Sequence, residues 1–365
     1  MKVLIIGGTG VLSNPVLLST LENGHEVYIV TRGNRQHLIS NQVHLLKCDI
    51  RIKGSLEKVI GDNSFDVVVD FLSYTQEQML ETINAIKNKT QQYIFISSCC
   101  VYDRKLYLNT PISDEDIPTG NPCWDYGSNK LQCEQNLQAT PSSFSYTIVR
   151  PYITYGETRI PYGITSGSGS HWSLVARVMH DKPLFVWDNG EALTTITHTK
   201  DFACGVTGLF LNSKAHRNSF NIVGSTVISW NNFIDIFEQV LGHKVHSVYI
   251  PSDYVSKKLP HLKGILCGDR KINAVFDNTK IKNAVPKFSD TVSLREGLSR
   301  TIQHYKENHY LSGIDFCWDA QMDKLIYSWL VSQKIKHDYP LHFINYLRNA
   351  SVFNKLKYYL HRYLY

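Results

Sequence analysis

The segment that most constrains the fold is a glycine-rich turn that follows directly on the first apolar run. Val3–Ile6 leads into Gly7-Gly8-Thr9-Gly10-Val11-Leu12-Ser13, and a helical pattern begins near Asn14. Glycines let such a turn approach a pyrophosphate closely, and the N–H groups and positive dipole end of the following helix attract the phosphates. The segment therefore predicts a strand, a phosphate-binding turn and a helix. The residues that we expect at the phosphates are Gly7, Thr9, Gly10, Val11 and Leu12.

Short apolar runs alternate with helical patterns through the first half of the chain. Helical patterns such as Asn14–Asn23 and Gln76–Lys87 separate these runs, several of which are continuously apolar, as in strands covered on both faces. This alternation predicts an α/β fold with a Rossmann-type, doubly wound parallel sheet. The predicted strands are Val3–Ile6, Glu26–Val30, Val43–Cys48, Val67–Phe71, Tyr93–Ile96 and Tyr146–Arg150.

The pattern loosens after about residue 155. A loop rich in Gly and Ser at Tyr162–Ser170 precedes a helix from about His171, and Asp188-Asn189-Gly190 is a turn signal. Helical patterns follow at Asp201–Leu211 and Trp230–Leu241. We expect a dinucleotide-binding domain, a smaller mixed α/β substrate-binding lobe partly interleaved with it, and a helical basic and aromatic C-terminal extension. Their predicted ranges are 1–155, 156–312 and 313–365.

Composition narrows the class of protein. The 43% hydrophobic and 19% charged residues are ordinary for a globular protein, and the net charge of +6 comes without basic clusters over the body of the chain, so no nucleic-acid partner is expected. None of the eight cysteines forms a C-x-x-C pair, which predicts no metal site and reduced thiols of a cytoplasmic protein. We expect no signal peptide, because glycines follow the first short apolar run at once, and no membrane-spanning helix, because no apolar stretch reaches about 18 residues.

The end of the second predicted strand bears on the choice between NAD and NADP. An acidic residue at this place holds the ribose 2′-hydroxyl of NAD. This chain has Thr31-Arg32-Gly33-Asn34-Arg35, and guanidinium groups suit a 2′-phosphate. We therefore expect NADP, with NAD left open because Arg32 can also stack on the adenine. Further predicted cofactor contacts, which follow strands along the sheet, are Asp49, Ile50, Phe71, Leu72, Ser97 and Pro151.

A tyrosine and a lysine stand four residues apart in Tyr126-Gly127-Ser128-Asn129-Lys130. Residues i and i+4 share one face of a helix, so the ammonium can lie near the phenol. A nearby positive charge lowers the pKa of a phenol toward the working range of a general acid/base. Ser97-Ser98 follows a predicted strand, and the Ser98 hydroxyl can hold a substrate oxygen. We predict that Ser98, Tyr126 and Lys130 are catalytic.

Together these motifs resemble the extended short-chain dehydrogenase/reductases of the NAD-dependent epimerase/dehydratase family, over roughly residues 1–305. The resemblance implies an enzyme of nucleotide sugars, in which tyrosine and serine handle the proton of a sugar hydroxyl and the nicotinamide exchanges a hydride. It also implies a homodimer. The segments that carry it, in family order, are Gly7-Gly8-Thr9-Gly10, Ser97-Ser98, Tyr126 with Lys130, Arg150-Pro151 with Tyr155-Gly156, and Asp201-Phe202-Ala203.

The residues after the serine distinguish reactions within this family. Ser98-Cys99-Cys100-Val101-Tyr102 is similar to the S-S-C-I-Y run of GDP-fucose synthase and the S-A-C-I-Y run of GDP-mannose 3,5-epimerase, and it lacks the Asp-Glu pair of the 4,6-dehydratases. The resemblance implies that Cys100 is an acid/base that epimerises a carbon next to a keto group, with His171 as its partner. A purely structural role stays open for both, since a buried cysteine is most often a small core residue.

The resulting prediction is an NAD(P)-dependent epimerase, or epimerase/reductase, of a nucleotide sugar or keto-sugar. One alternative is a sugar-nucleotide 4-epimerase with tightly bound NAD, and another is a non-catalytic dinucleotide-sensing or RNA-binding relative. The arginine that nucleotide-sugar enzymes place before a His-x-x-Asp segment is missing from Thr194–His198. Arg270 is the candidate replacement, and a sugar without the nucleotide diphosphate stays open.

The C-terminal segment from Tyr339 to Tyr365 contains no Asp or Glu. A basic, aromatic helix of this kind suits an anionic membrane surface. Contact with RNA, or docking on the body or on a second subunit, stays open. Its cations and aromatic residues are Arg348, Lys355, Lys357 and Arg362, and Phe343, Tyr346, Phe353, Tyr358, Tyr359, Tyr363 and Tyr365.

Overall fold

A computed structural model of the chain describes residues 1–34, 40–107, 111–164, 171–308, 314–341, 347–348 and 350–364. Arg35 of the predicted cofactor turn lies outside the described residues, as do Phe343, Tyr346 and Tyr365 and most of the Gly/Ser loop. The chain forms two compact units, each assembled from three segments. The first unit comprises 1–154, 195–226 and 275–292, and the second comprises 155–194, 227–274 and 293–365.

The strands of the described residues are β1 (Lys2–Ile6), β2 (Glu26–Thr31), β3 (Val43–Lys47), β4 (Phe65–Asp70), β5 (Thr90–Ile96), β6 (Ser145–Arg150), β7 (Ile153–Tyr155), β8 (Leu184–Trp187), β9 (Leu193–His198), β10 (Asn218–Asn221), β11 (Thr226–Ser229) and β12 (Ser247–Ile250). The α-helices are α1 (Ser13–Glu22), α2 (Ser55–Ile60), α3 (Gln76–Ile86), α4 (Asp125–Ala139), α5 (Trp172–Met179), α6 (Thr199–Gly208), α7 (Trp230–Leu241), α8 (Ser252–Lys258), α9 (Lys263–Ile265), α10 (Thr279–Ala284), α11 (Leu294–Glu307), α12 (Phe316–Ser332) and α13 (Val352–Tyr359).

The first unit is built on a seven-stranded sheet with the order β10-β6-β5-β4-β1-β2-β3, and its neighbouring strands are parallel. Leaving out β10, this is the strand order of the dinucleotide-binding Rossmann fold. The predicted doubly wound sheet is therefore confirmed, and the six predicted strands correspond to β1–β6. In such sheets ligands bind beyond the carboxyl ends of the strands where the order reverses, here between β1 and β4.

Helices cover both faces of this sheet. On one face α1, α6 and α10 bury Val16, Phe202 and Ile281 against strand residues such as Val69. On the other face α2, α3 and α4 bury Leu56, Met79, Ile83, Cys133 and Leu137. Burial on both sides accounts for the continuous apolar character of β1 and β4, because neither strand has a solvent-facing side.

The second unit contains a parallel pair of strands, β8 and β12, and the helices α5, α7, α8, α9, α11, α12 and α13. Its interior holds a four-membered ion-pair cluster that we call the buried charge cluster: Arg177, Lys182, Asp319 and Asp323. All four side chains are fully buried, with N–O distances of 2.5–2.9 Å. The tail helix α13 docks on this cluster, since the Tyr358 hydroxyl donates to Asp323 at 2.5 Å. No helix in the described ranges is long and apolar enough to cross a membrane.

Candidate active site

The glycine-rich turn has the geometry that requires glycine at its first two positions. Gly7 and Gly8 have φ values of 125° and 84°. A Cβ on Gly7 would lie 3.2 Å from Phe71 Cβ, and one on Gly8 would lie 3.2 Å from Ile29 Cγ2. Because of the positive φ and the close neighbours, any residue other than glycine would be strained at these two positions. The turn thus brings the main chain close to the ends of β2 and β4.

Ser13 occupies the third glycine position of the pattern and closes the turn from inside. The Gly10 N–H donates to Ser13 Oγ at 2.8 Å, and Ser13 is buried. Thr9, Val11 and Leu12 are partly exposed, and the first turn of α1 carries no acidic residue. The N-terminus of α1 therefore has no side-chain carboxylate of its own that would repel a pyrophosphate.

Cations surround the end of β2. The Thr31 hydroxyl accepts from the Gly33 N–H at 2.9 Å, and Arg32 is exposed. Asp49, a predicted cofactor contact, accepts hydrogen bonds from the Arg51 side chain at 2.5–3.2 Å, which lower the pKa of its carboxyl to about 2. Ile50 packs against the apolar cluster on the α2 face. The sequence analysis did not single out Arg51, although a cation two residues after Asp49 could have indicated this ion pair.

The loop after β4 is held by a buried carboxylate. Asp70 accepts from the main-chain N–H groups of Leu72 and Ser73 at 2.7 and 3.1 Å, and from the hydroxyl of Tyr93 at 2.7 Å. This fixes Phe71 and Leu72 beside the glycine turn, where a Cβ on Gly7 would touch both residues. The predicted cofactor residues of β1 and β4 are thus brought together.

Tyr126 and Lys130 lie one turn apart in the first part of α4. Lys130 is buried, and its ammonium donates to the main-chain oxygens of Ser73 and Ile96 at 2.7 and 2.9 Å. Burial lowers the pKa of Lys130 to about 8, against the opposing charge of Asp70. The half-buried ring of Tyr126 lies 6.3 Å from that of Tyr74, centroid to centroid. Lys130 therefore ties α4 to the ends of both β4 and β5.

The segment after β5 packs directly on α4. The Ser98 hydroxyl accepts from the Cys100 N–H at 3.2 Å and starts a short 3₁₀ turn at Cys99–Val101. A Cβ on Gly127 would lie 2.1 Å from the Cys100 oxygen, so only glycine permits this contact. The Cys99 N–H donates to the Pro151 oxygen at 2.9 Å. The structure thereby gathers the predicted residues of 96–100, α4 and the end of β6 in the first unit.

Two buried residues to which the sequence analysis gave no role in the site, Glu134 and Arg150, support this arrangement. Arg150 donates to both carboxylate oxygens of Glu134, at 3.0 and 2.6 Å, and Ser97 donates to Glu134 at 2.5 Å. Arg150 also donates to the Tyr102 hydroxyl at 2.6 Å. Glu134 follows Lys130 by four residues and shares its helix face. That spacing was the available signal.

Arg104 is a further buried cation that the sequence did not single out. Its Nη2 lies 3.9 Å from Cys100 Sγ, and its guanidinium stacks over Tyr152 at 4.5 Å. It also lies within hydrogen-bond reach of the Cys99 oxygen, at 3.5 Å. Burial raises the pKa of the Cys99 thiol well above its usual range. The Cys99 thiol donates to the Arg150 main-chain oxygen at 3.2 Å, whereas Cys100 Sγ accepts from Arg104, so the two adjacent thiols have different partners.

His171 belongs to the second unit, where it precedes α5. The ring is buried, and burial, followed by the charge of Arg159, lowers the pKa of His171 to about 3. Its Nδ1 has no hydrogen-bond partner within the part of the chain that the structure describes. The ring is thus neutral near pH 7. Arg270, the candidate for binding a diphosphate, is also buried, forms an ion pair with Asp269, and donates to the Gly163 oxygen.

The described ranges contain no group of His, Cys, Asp and Glu side chains arranged to hold a metal ion.

Comparison of the chain with known proteins identifies its family. The model of the NAD dependent epimerase/dehydratase family matches residues 3–223, which is more than half of the chain. The chain belongs to this family. The predicted membership of the NAD-dependent epimerase/dehydratase family is thereby confirmed.

The individual proteins to which this chain is similar share little sequence identity with it. It is 26% identical to the chloroplast stem-loop binding protein of 41 kDa b of Arabidopsis thaliana, over 63% of this chain and 60% of that protein's length. It is 19% identical to 2′-dehydrokanamycin reductase of Streptomyces kanamyceticus, over 83% of each chain. The solved structure of UDP-glucuronic acid 4-epimerase from Bacillus cereus in complex with NAD shares the fold, with a TM-score of 0.67 at 20% identity, over 85% of this chain and 100% of that one.

Proposed function

We propose that the protein is an NAD(P)-dependent epimerase of a nucleotide-activated sugar. The observation that carries this is the Tyr126 and Lys130 pair, with the buried Lys130 ammonium held by two main-chain oxygens at the ends of β4 and β5. The ends of parallel strands near the switch in strand order are where a nicotinamide cofactor binds in this fold. Family membership and the fold shared with a UDP-glucuronic acid 4-epimerase support the same substrate class.

The roles follow from the geometry of the first unit. Tyr126 is the general base that takes the proton of a sugar hydroxyl, and the Lys130 charge favours its phenolate. The Ser98 hydroxyl, fixed at the start of its 3₁₀ turn, positions the sugar oxygen. NAD(P), when bound, supplies the hydride acceptor. Gly7 and Gly8 leave the space for its pyrophosphate, since a Cβ at either would strike a neighbouring side chain.

For the cofactor we propose NADP. The support is Arg32, which is exposed at the end of β2, together with Asp49 after β3, whose carboxylate is already paired with Arg51. A 2′-phosphate gains from a guanidinium, whereas a ribose hydroxyl gains from a free carboxylate. Replacing Arg32 with Ala is expected to weaken NADPH binding about tenfold, the size of a charged hydrogen bond, and to leave NADH binding unchanged. Equal loss for both would remove the NADP preference.

A second candidate chemistry is epimerisation by proton transfer at a carbon next to a keto group. It is favoured by Arg104, whose Nη2 lies 3.9 Å from Cys100 Sγ. In this version Cys100 removes the carbon-bound proton, and His171 is the partner that the resemblance to the family implies.

The deciding experiment follows deuterium. Purified protein is incubated in D₂O with UDP-glucose, UDP-glucuronic acid and their 4-keto forms, with NAD or NADP, and the products are read by mass and stereochemistry. Epimerisation without deuterium means that hydride returns to the same carbon, and Cys100 then has no chemical part. Deuterium next to the ketone, lost in Cys100→Ser with cofactor binding intact, supports proton transfer. Tyr126→Phe is expected to lower either rate by about 10²–10⁴, and full activity in that variant would end the proposal.

A non-catalytic function is the competing class, and the stem-loop binding relative is the observation that favours it. A gel-shift measurement with a stem-loop RNA, at low and at physiological salt, separates the two. Tight RNA binding together with no turnover of any sugar would assign the chain to that class.

We also propose a homodimer that pairs through helices flanking the helix of Tyr126 and Lys130, as the resemblance to the family implies. Sedimentation velocity of the purified chain tests it, and a monomer at micromolar concentration would refute it.

A further inference from the structure

The tail helix α13 and the turn after it present an apolar surface that nothing in the described residues covers. The exposed side chains, which we call the tail stripe, are Val352, Phe353, Leu356, Tyr359, Tyr363 and Leu364. Val352 and Phe353 are 83% and 64% exposed, which is unusual for large apolar side chains on one helix. Monomeric soluble proteins leave such contiguous patches mainly where they meet a partner or a membrane.

The opposite side of the helix is anchored, so the direction of the tail stripe is fixed. Tyr358 is fully buried and donates to Asp323 of the buried charge cluster at 2.5 Å. The buried guanidinium of Arg362, one turn later, lies over the ring of Tyr327 at 5.3 Å. With that side held on α12, the tail stripe faces away from the second unit.

Lysines border the tail stripe on both sides. Successive α-helix residues are rotated by about 100°, which places Val352, Leu356 and Tyr359 of α13 in one line, with Lys355 on one flank and Lys357 on the other. Lys357 Nζ lies 4.4 Å from the Phe353 ring centre. No Asp or Glu occurs in 339–365 to neutralise these charges. An apolar centre, flanking lysines and tyrosines at the edge are the features of a helix that lies in a lipid interface.

From this arrangement we infer that the tail stripe docks on an anionic lipid surface, with its apolar side chains among the acyl chains and Lys355 and Lys357 at the head groups. The charge pattern selects this occupant. Two copies that paired through the stripe would bring the lysines of both chains together with no acidic residue of the segment between them, and like charges repel at such distances. The inference is independent of the chemistry proposed for the first unit.

The test is flotation of the full chain with vesicles of phosphatidylcholine alone and of equal parts phosphatidylcholine and phosphatidylserine. The chain is expected to float with the anionic vesicles and not with the neutral ones, and less at high salt. Phe353→Ser with Leu356→Ser, and separately Lys355→Gln with Lys357→Gln, should each weaken partition at least about tenfold. Ile117→Ser, which changes a 78% exposed apolar side chain of the first unit, is the matched control and should float unchanged.

Circular dichroism of each variant checks that its fold is kept. Phe353, Leu356 and Lys357 are exposed, and the partly buried Lys355 gives up only a hydrogen bond from its ammonium to the Arg348 oxygen at 3.2 Å. Equal flotation of every variant, or equal flotation with both vesicle types, would overturn the inference. So would a chain that ignores vesicles but self-associates in solution and becomes monomeric in Phe353→Ser with Leu356→Ser, because the occupant would then be a second copy.

Discussion

Arg150 and Glu134 form a two-point ion pair in the interior of the first unit, with N–O distances of 3.0 and 2.6 Å. The pair joins the end of β6 to the face of α4 that carries Lys130. Replacing Glu134 with Gln leaves the Arg150 charge buried with one neutral acceptor, and breaking a buried pair in this way costs about 3–5 kcal/mol. We expect a loss of that size in the free energy of unfolding in urea. Glu115→Gln, at the 82% exposed end of a pair with Lys280, should change it by less than about 1 kcal/mol.

Lys130 should make stability depend on pH above neutrality. Its pKa is lowered from 10.5 to about 8 in the folded protein, so between these values the unfolded chain binds more protons than the folded one. Unfolding free energy should therefore rise with pH across this interval, by about 3 kcal/mol for this group alone. In Lys130→Met this rise should be absent. Urea unfolding of both proteins near pH 7 and near pH 10 checks it, and parallel pH curves would contradict the burial of the ammonium.

The contact between Gly127 and the Cys100 oxygen allows no side chain. A methyl group at 127 would lie 2.1 Å from that oxygen, so Gly127→Ala should push α4 away from the turn at Cys99–Val101. We expect a stability loss of about 1–3 kcal/mol, typical of overpacking, and weaker cofactor binding. Asn129→Ala, two residues along the same helix, is the control. Thermal unfolding and NADPH fluorescence titration measure both effects, and an unchanged melting temperature in Gly127→Ala would show that the contact is looser.

Tyr358 should hold the tail helix on the second unit. Removal of its hydroxyl in Tyr358→Phe deletes a hydrogen bond to the buried Asp323 carboxylate, which is worth about 1.5–3 kcal/mol. Amide hydrogen exchange of 352–359 should then accelerate, while exchange in α12 changes less. Tyr359→Phe, at a 46% exposed position, should leave the exchange of α13 as it is. Equal protection in both variants would show that other contacts hold the helix.

The strands of the sheet could be predicted because strands buried on both faces consist of continuous apolar runs. The residues at which the strands begin were harder to predict. β5 begins at Thr90, three residues before the predicted Tyr93, since the buried amide of Gln92 is satisfied by Thr147 and by the Leu209 oxygen, at 2.8 and 3.0 Å. A polar residue of this kind resembles a loop residue until its distant partners are known.

The candidate site divides in the same way. The glycine turn and the Tyr126 and Lys130 pair were predictable, since their chemistry is carried by local spacing. Arg104 and the Arg150 and Glu134 pair were not, because each meets its partner only after β5, β6 and α4 have packed. The tail shows the same limit: its composition predicted an amphipathic basic helix, but the docked face depends on Asp323, 35 residues before Tyr358.

The first unit takes its last segment from 275–292, and this has a consequence for how the chain is made. Ile281 and Phe288 are buried on the same face of the sheet as Val27 and Val69. While the ribosome is still making the middle of the chain, the part of that face which Ile281 and Phe288 cover is still exposed, although α1 and β1–β6 have already emerged. Uncovered parallel strands pair slowly and are prone to aggregate. Nascent chains that stop short of this last segment should therefore bind general chaperones and be cut readily by proteases. Chaperone binding and cleavage should both fall once α10 has been translated.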